Sequence, residues 1–261
     1  MSARREILPG ALIENPQADG PFLFVCEHAS NHFPEAFGDL GLSDEAQKAH
    51  IAWDPGALAL ARMLSTKLRG PLVHAGMSRL IYDLNRPPQS AAAMAATSET
   101  YEIPGNARIT AAERLRRTDS IYIPFHTALH QMIARMLAEG RPPVLVTVHS
   151  FTPVWYGQPR AVELGLIHDV DPTFANALMS FVGPSTGMDC RMNEPYSAAD
   201  GVTHTLRLHA TPYGLRHVML EIRNDLLDTE TAVATVADGL AQALQRAFDA
   251  LYQSHSTKAV I

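Results

Sequence analysis

Three hydrophobic runs of this chain each end in side chains that can bind a metal ion or move a proton. Phe22 to Cys26 runs into Glu27 and His28, Val144 to Val148 into His149 and Ser150, and His217 to Leu220 into Glu221. Two imidazoles and a carboxylate are the donors of many catalytic zinc sites, which take three protein ligands and leave one position for water. Such an ion lowers the pKa of the water and polarises a scissile carbonyl, and a nearby carboxylate must take the water's proton. On this pattern His28 and His149 are candidate ligands of Zn2+ or another divalent metal, and Glu221 is the candidate base. Asp54 is the favoured carboxylate ligand, because Trp53-Asp54-Pro55-Gly56 opens a helical segment that would aim it back at the sheet edge; Glu27 and His32 compete for that place.

Plainer roles stand beside these. An Asp ahead of a helix commonly accepts backbone N–H bonds as a cap. His126 and His130 lie four apart on a helical segment and so share one face, an alternative metal pair that lacks an accompanying carboxylate. Ser150 follows His149, but without a nucleophile elbow around it serine chemistry is set aside. His209 precedes the Glu221 run and could face the site, and Glu194-Pro195-Tyr196 could form part of its wall.

A second polar concentration, Ser78-Arg79-Leu80-Ile81-Tyr82-Asp83-Leu84-Asn85-Arg86-Pro87, points to anion recognition. The planar guanidinium fork matches a carboxylate with two parallel hydrogen bonds. Asn85 and Arg86, with Arg79 or Arg223, are therefore the expected clamp for an acidic substrate; Arg223 lies two residues beyond Glu221 on the same strand face. The competing reading pairs Asp83 with one of these arginines and makes them structural.

The elements that must position these groups are legible in outline. Apolar runs rich in Val, Leu and Phe at 22–26, 144–148 and 217–222 read as strands buried on both faces. Further strands are expected at 71–75, 80–84, 162–167 and 191–194, and helices over 56–68, from Thr110 through Leu137 with a kink or restart at Pro124, over 172–181 and from about 229 to 251. Thr110-Ala111-Ala112-Glu113 is a capping-box start, and Gly140 a stop. Residues 1–20 read as a loose arm and 87–106 as a long connection of the kind that forms lids. Strands alternating with helices predict an α/β fold of three layers, a mostly parallel mixed sheet with helices on both faces, in a single domain over 1–261. Ligands of such sheets bind at the carboxyl ends of the strands.

Composition narrows the function classes. The chain has 261 residues, 46% of them hydrophobic and 18% charged, which suits a globular domain. A net charge of −6 without a Lys/Arg run argues against a nucleic-acid or membrane-surface partner, and no apolar stretch is long enough to span a bilayer. Two cysteines, Cys26 and Cys190, and the lack of an apolar segment after Arg4-Arg5 predict a cytoplasmic protein. The oligomeric state is left open.

The segments CEHASNHFP (26–34), WDPG (53–56), SRLIYDLNRP (78–87), IPFH (123–126), VHSF (148–151), NEPYS (193–197) and LEIRNDL (220–226) together resemble the N-formylglutamate amidohydrolase family. They follow the family's order from about residue 20 to 250. The resemblance implies hydrolysis of an N-acyl amide, N-formyl-L-glutamate to formate and glutamate, with a small N-acyl amino acid as the partner. It also implies kinship with zinc-dependent exopeptidases. Asn85-Arg86 resembles the pair with which zinc carboxypeptidases hold a substrate carboxylate, and Glu221 the strand-end glutamate of zinc-dependent cell-wall amidases, whose histidine, acidic residue and second histidine match His28, Asp54 and His149 in order. In the expected mechanism Glu221 takes the proton of a metal-held water and returns one to the leaving nitrogen, while His126 helps to stabilise the oxyanion. The run Glu221 to Leu226 is that of a divergent branch, so the chemistry carries over further than the identity of the amino acid.

Overall fold

The computed structural model describes residues 10–252. Seven strands, β1 (Leu12–Glu14), β2 (Phe22–Cys26), β3 (Leu72–His74), β4 (Val144–Phe151), β5 (Leu164–Ile167), β6 (Cys190–Met192) and β7 (His217–Arg223), form one sheet in the order β1-β3-β2-β4-β7-β5-β6. The four neighbours β3, β2, β4 and β7 run parallel. β1 is antiparallel to β3, β5 is antiparallel to β7, and β6 runs parallel to β5. This is the mostly parallel mixed sheet of a three-layer α/β fold, with helices on both faces.

The two faces follow from the period-two alternation of side chains along a strand. Phe22, Phe24, Val144, Val146, Val148, Val218 and Leu220 point to one face, where they pack with α1 (Ala57–Lys67), α3 (Thr173–Thr186) and α5 (Glu230–Tyr252). Leu23, Val25, Leu145 and Met219 point to the other, against α2 (Ile123–Ala138), α4 (His204–His209) and the long segment 77–103. Both clusters are buried and apolar, so the strands read as continuous hydrophobic runs rather than alternating ones. Among the described residues no helix is long and apolar enough to cross a membrane.

Several sequence expectations need correction. The arm at 1–20 contains β1, whose Leu12 to Glu14 add an antiparallel edge strand to β3; residues 1–9 lie outside the described part. The strand expected at 80–84 is a buried loop instead. Its apolar side chains Leu80, Ile81, Tyr82 and Leu84 are buried as a strand's would be, but side chains rather than a ladder satisfy its carbonyls. Asn106 donates to Leu80 O (2.8 Å), Arg117 to Ile81 O (3.0 Å) and His126 to Leu84 O (3.1 Å). The connection 87–106 is not structureless: it holds a short 3-10 turn at Ala91–Met94, a hairpin pairing Thr97–Ser98 with Tyr101–Glu102, and a helical turn at Pro104–Ala107. Helix His204–His209, unmarked by periodicity, and a helical turn at Asp44–Lys48 were not expected. Pro124 does mark a restart: a π turn over Thr118–Tyr122 precedes the regular helix.

His126 and His209 join α2 to α4. With the His126 Nε2–H spent on Leu84 O, its Nδ1 is left to accept from His209 Nε2 at 2.8 Å, and the rings stack with centroids 5.1 Å apart. Both are neutral in this arrangement. Burial, reinforced by the neighbouring imidazole, pushes the His126 pKa down to about 3, and burial with His130 and His204 nearby pushes that of His209 down to about 4.

Two outcomes follow for stability. A histidine whose folded pKa is depressed binds its proton more readily when unfolded, so this pair leaves stability unaffected above about pH 6.5 and lowers it as the pH drops from there toward 4. The pair's contribution to the unfolding free energy, measured by urea titration, should decline across that window by about 2–3 kcal/mol per pH unit, and His126→Gln should flatten the decline. Gly56, the N-cap of α1, has φ +79°, and a Cβ there would lie 2.4 Å from Leu227 Cβ. Gly56→Ala should therefore cost about 2–4 kcal/mol of stability in the same assay; a change below about 0.5 kcal/mol would contradict this packing.

Candidate metal centre

Register brings the three polar strand ends together. β4 lies between β2 and β7, parallel to both, so the carboxyl ends of all three meet at one edge of the sheet. Glu221 stands directly opposite His149. Val25 stands opposite Thr147, which carries residue 27 to the level of residue 149. Glu27, His149 and Glu221 continue the face that carries Val25, Leu145 and Met219, so each strand turns from apolar to polar on that face as it reaches the edge. His28 follows one residue after Glu27. The loop before α1 is tied to this edge by Asp54 N–H, which donates to His28 O at 2.9 Å.

Three ligand atoms converge there. His28, Asp54 and His149 each offer one donor atom, all within 4.8 Å of one another, and all three residues are buried. Asp54 Oδ2 is 3.3 Å from His28 Nδ1 and 3.0 Å from His149 Nδ1, and the two Nδ1 atoms are 3.2 Å apart. Each imidazole presents its other nitrogen to a buried carboxylate. His28 Nε2 is 2.7 Å from Asp83 Oδ1, and His149 Nε2 is 3.2 Å from Glu27 Oε2, at ion-pair distance. Arg79 ties the set together by donating to Asp54 Oδ1 (3.3 Å) and Asp83 Oδ2 (2.7 Å).

This donor set suits a cation. A carboxylate behind each Nε2 favours the proton on that nitrogen, which leaves both Nδ1 lone pairs turned inward beside a carboxylate oxygen. Three electron-rich atoms facing one point repel one another unless positive charge lies among them. The field has the matching sign. Burial and Arg79 push the His28 pKa down, but Asp83 and Asp54 outweigh both and leave it raised; burial likewise opposes a charge on His149, and Glu27 and Asp54 overcome it to hold that pKa well above the ordinary value. A negative potential that draws a proton onto imidazole also draws a metal ion. Asp54, despite the penalty of burial, is held well below the usual carboxylate range by His28, His149 and Arg79, so it stays ionised. Asp83 is likewise held ionised, with Arg79 and His28 outweighing its burial.

The centre opens on a cavity of about 350 Å³. Glu221 lines it, and burial, with the Asp54 charge assisting against His149 and His28, pushes its carboxyl up to about 7. Arg79, Asn85 and Arg86 also line the cavity. Asn85 donates to Val202 O (2.5 Å) and accepts from Thr205 N–H (3.0 Å), and Arg86 Nη1 donates to Gly201 O, so both pin the 78–87 loop to the segment before α4. Phe151, Trp155 and Tyr196 form an aromatic part of its wall.

Not every expected residue is here. His126 does not line the cavity and both its nitrogens are engaged within the core, which removes it from oxyanion stabilisation. Arg223 points away: it bonds Asp225 (2.8 Å), Glu163 (3.3 Å) and the carbonyls of Arg160 and Ala161, because the strand ends with it and the chain turns there. Glu27 stands behind His149 rather than among the ligand atoms, and His32 is exposed. His130 pairs with Tyr213 at the surface (3.2 Å). Ser150 donates to Pro55 O (2.7 Å), holding the Asp54 loop. Asp83 and the Phe151–Trp155 wall were missed as site residues. For Asp83 the sequence offered only an Arg four positions earlier, and that pairing exists alongside the contact with His28.

Comparison with known proteins shows the family and the fold. The model of the N-formylglutamate amidohydrolase family matches residues 20–227. Among solved structures, a gene product of Agrobacterium tumefaciens is 48% identical, with a TM-score of 0.90 over 92% of this chain and 95% of that one. An N-formylglutamate amidohydrolase from Ralstonia eutropha JMP134 is 18% identical, with a TM-score of 0.67 over 95% of this chain and 100% of that one, a likeness of fold. No curated protein matches the chain. With more than three quarters of its length inside the family match, the chain belongs to the N-formylglutamate amidohydrolase family.

Proposed function

We propose that this protein is a metal-dependent amidohydrolase that cleaves the acyl amide of an N-acyl amino acid, N-formyl-L-glutamate being the substrate the family's name gives. The observation that carries this reading is the convergence of His28 Nδ1, His149 Nδ1 and Asp54 Oδ2 beside Glu221 in one cavity. A divalent ion such as Zn2+ held by those three atoms would supply a Lewis acid for the scissile carbonyl and a water of lowered pKa.

The chain's own residues account for the remaining steps. Asp83 and Glu27 hold the two imidazoles by their Nε2 atoms, so that both Nδ1 lone pairs face the ion. Glu221, across the strand pair from His149, takes a proton from the attacking water and gives one to the departing amine nitrogen. Arg86 reaches into the cavity from the 78–87 loop and holds the carboxylate of the amino acid, fixing its amide near the centre. Arg79 serves the centre rather than the substrate, because its guanidinium is shared between Asp54 and Asp83. We assign the reaction to the cytoplasm, where free thiols such as Cys26 and Cys190 remain reduced.

Metal analysis of the purified protein should find about one divalent ion per chain, with amide hydrolysis lost on chelation and regained on adding zinc. His149→Ala should abolish binding of that ion; tight zinc binding by this variant would rule out the ligand set. Glu221→Gln should keep the metal and lose at least about 10²-fold in kcat, as measured by release of free amine. Asp83→Asn should weaken zinc affinity about 10–100-fold in a chelator competition, and an unchanged affinity would remove Asp83 from its supporting role.

A further inference from the structure

Carboxylates outnumber guanidinium groups in and directly behind the cavity that opens on the metal centre. Glu27, Asp54, Asp83 and Glu221 are all nearly inaccessible to solvent, and Asp200 lines the cavity. A divalent ion with the Arg79 and Arg86 guanidinium groups offsets at most four of those five carboxylates, and a substrate carboxylate held on Arg86 takes up that last charge. An incoming substrate therefore meets a site that resists further negative charge unless each new carboxylate finds its own cation.

Very few cations are free to offer one. Arg79 is bound to Asp54 and Asp83, and His50 pairs with Glu99 at 2.7 Å. Arg86 makes no ion pair among the described residues; it spends Nη1 on the Gly201 carbonyl and turns the rest of its fork to the cavity. Among the residues that line the cavity this leaves one anchor, since Arg160 stands behind the aromatic rings and donates to Thr152 O and the Tyr196 hydroxyl, and a planar fork of this kind suits one carboxylate.

Part of the cavity wall is apolar. Phe151, Trp155 and Tyr196 line it, and Ile51 and Val202 also belong to the cavity lining. Arg160, which does not itself line the cavity, lies over all three rings, with its guanidinium carbon 5.4 Å from the Phe151 centroid, 4.8 Å from Trp155 and 5.2 Å from Tyr196. It also donates to the Tyr196 hydroxyl at 3.1 Å. The rings are thus braced as a wall. Such a wall stabilises an apolar or aromatic group through area burial and ring contacts, and offers a second carboxylate only the neutral Trp155 indole N–H and Tyr196 hydroxyl, with no lining cation, in exchange for its water.

We infer that the preferred substrate is an N-acyl amino acid with a single carboxylate, held by Arg86, and an apolar or aromatic side chain packed on Phe151, Trp155 and Tyr196. The inference rests on the amidohydrolase reading of the site and narrows it, away from the dicarboxylic amino acid in the family's name.

The test separates ligand class from catalysis. Zinc-loaded Glu221→Gln protein is titrated calorimetrically with N-formyl-L-phenylalanine and with N-formyl-L-glutamate, and wild-type kcat/KM is measured for both. The phenylalanine derivative should bind at least about tenfold tighter and show the higher kcat/KM. Trp155→Ala, on an exposed hairpin, should erase the preference, whereas Arg86→Leu should weaken both ligands alike. Equal or tighter binding of the glutamate derivative, or binding of neither, overturns the inference. Should the phenylalanine derivative bind as expected while the wild type releases no amine from either compound, the amidohydrolase reading fails and the ligand class stands. If the Glu221→Gln protein does not fold, the wild-type ratio of kcat/KM decides alone.

Discussion

The arrangement on which the rest depends is a set of like partial charges turned toward one another. Two imidazole nitrogens and a carboxylate oxygen lie 3.0–3.3 Å apart in a buried pocket. They stay there because Asp83 and Glu27 claim the far side of each ring and Arg79 clasps the two aspartates from behind. Without a cation among the three inward atoms the set would be costly, since burying unpaired charge forfeits hydration that nothing replaces. The carboxylates behind the histidines therefore both orient the rings and supply the field that attracts the ion.

The sheet makes this arrangement possible at low conformational cost. Parallel pairing of three adjacent strands aligns their carboxyl ends, and a two-residue period keeps Glu27, His149 and Glu221 on one face while Val148 and Leu220 remain in the core on the other. A slip of one residue in either pairing would send one of these polar groups into the apolar layer beneath α1 and α5. The apolar face thus enforces the register on which the polar edge relies. Gly165 adds a local condition. It lies opposite Glu221 on β5, and a Cβ there would come within 1.9 Å of the Glu194 carbonyl, so the wall segment carrying Tyr196 can approach Glu221 only across a glycine.

A division of labour runs through the polar residues. Some arginines serve the protein and not the ligand: Arg79 stabilises the aspartates, Arg117 and Asn106 complete the backbone of the buried 80–84 loop, and Arg223 ties the end of β7 to Glu163. The histidines divide in the same way. His28 and His149 stand at the edge, whereas His126 and His209 lock a helix pair as neutral donors and acceptors. Residue type alone does not distinguish these roles, because the same side chain is anchor or ligand depending on which partner lies within 3 Å.

The layer order, the three central strands, the long helices and the family likeness were legible in the sequence, because buried strands must be continuous apolar runs and helices must repeat their apolar face. The candidate ligands His28, Asp54 and His149 could be named from position, each at the end or start of such an element. What the sequence could not carry were relations between distant segments: Asp83 behind His28, the loop at 80–84 whose carbonyls are met by Asn106, Arg117 and His126, and the Phe151 and Trp155 rings that join the expected Tyr196 in one wall. Hydrophobic periodicity reports only which groups must leave water. Which polar groups then meet is decided by strand register and loop closure, and those are set when the whole chain packs.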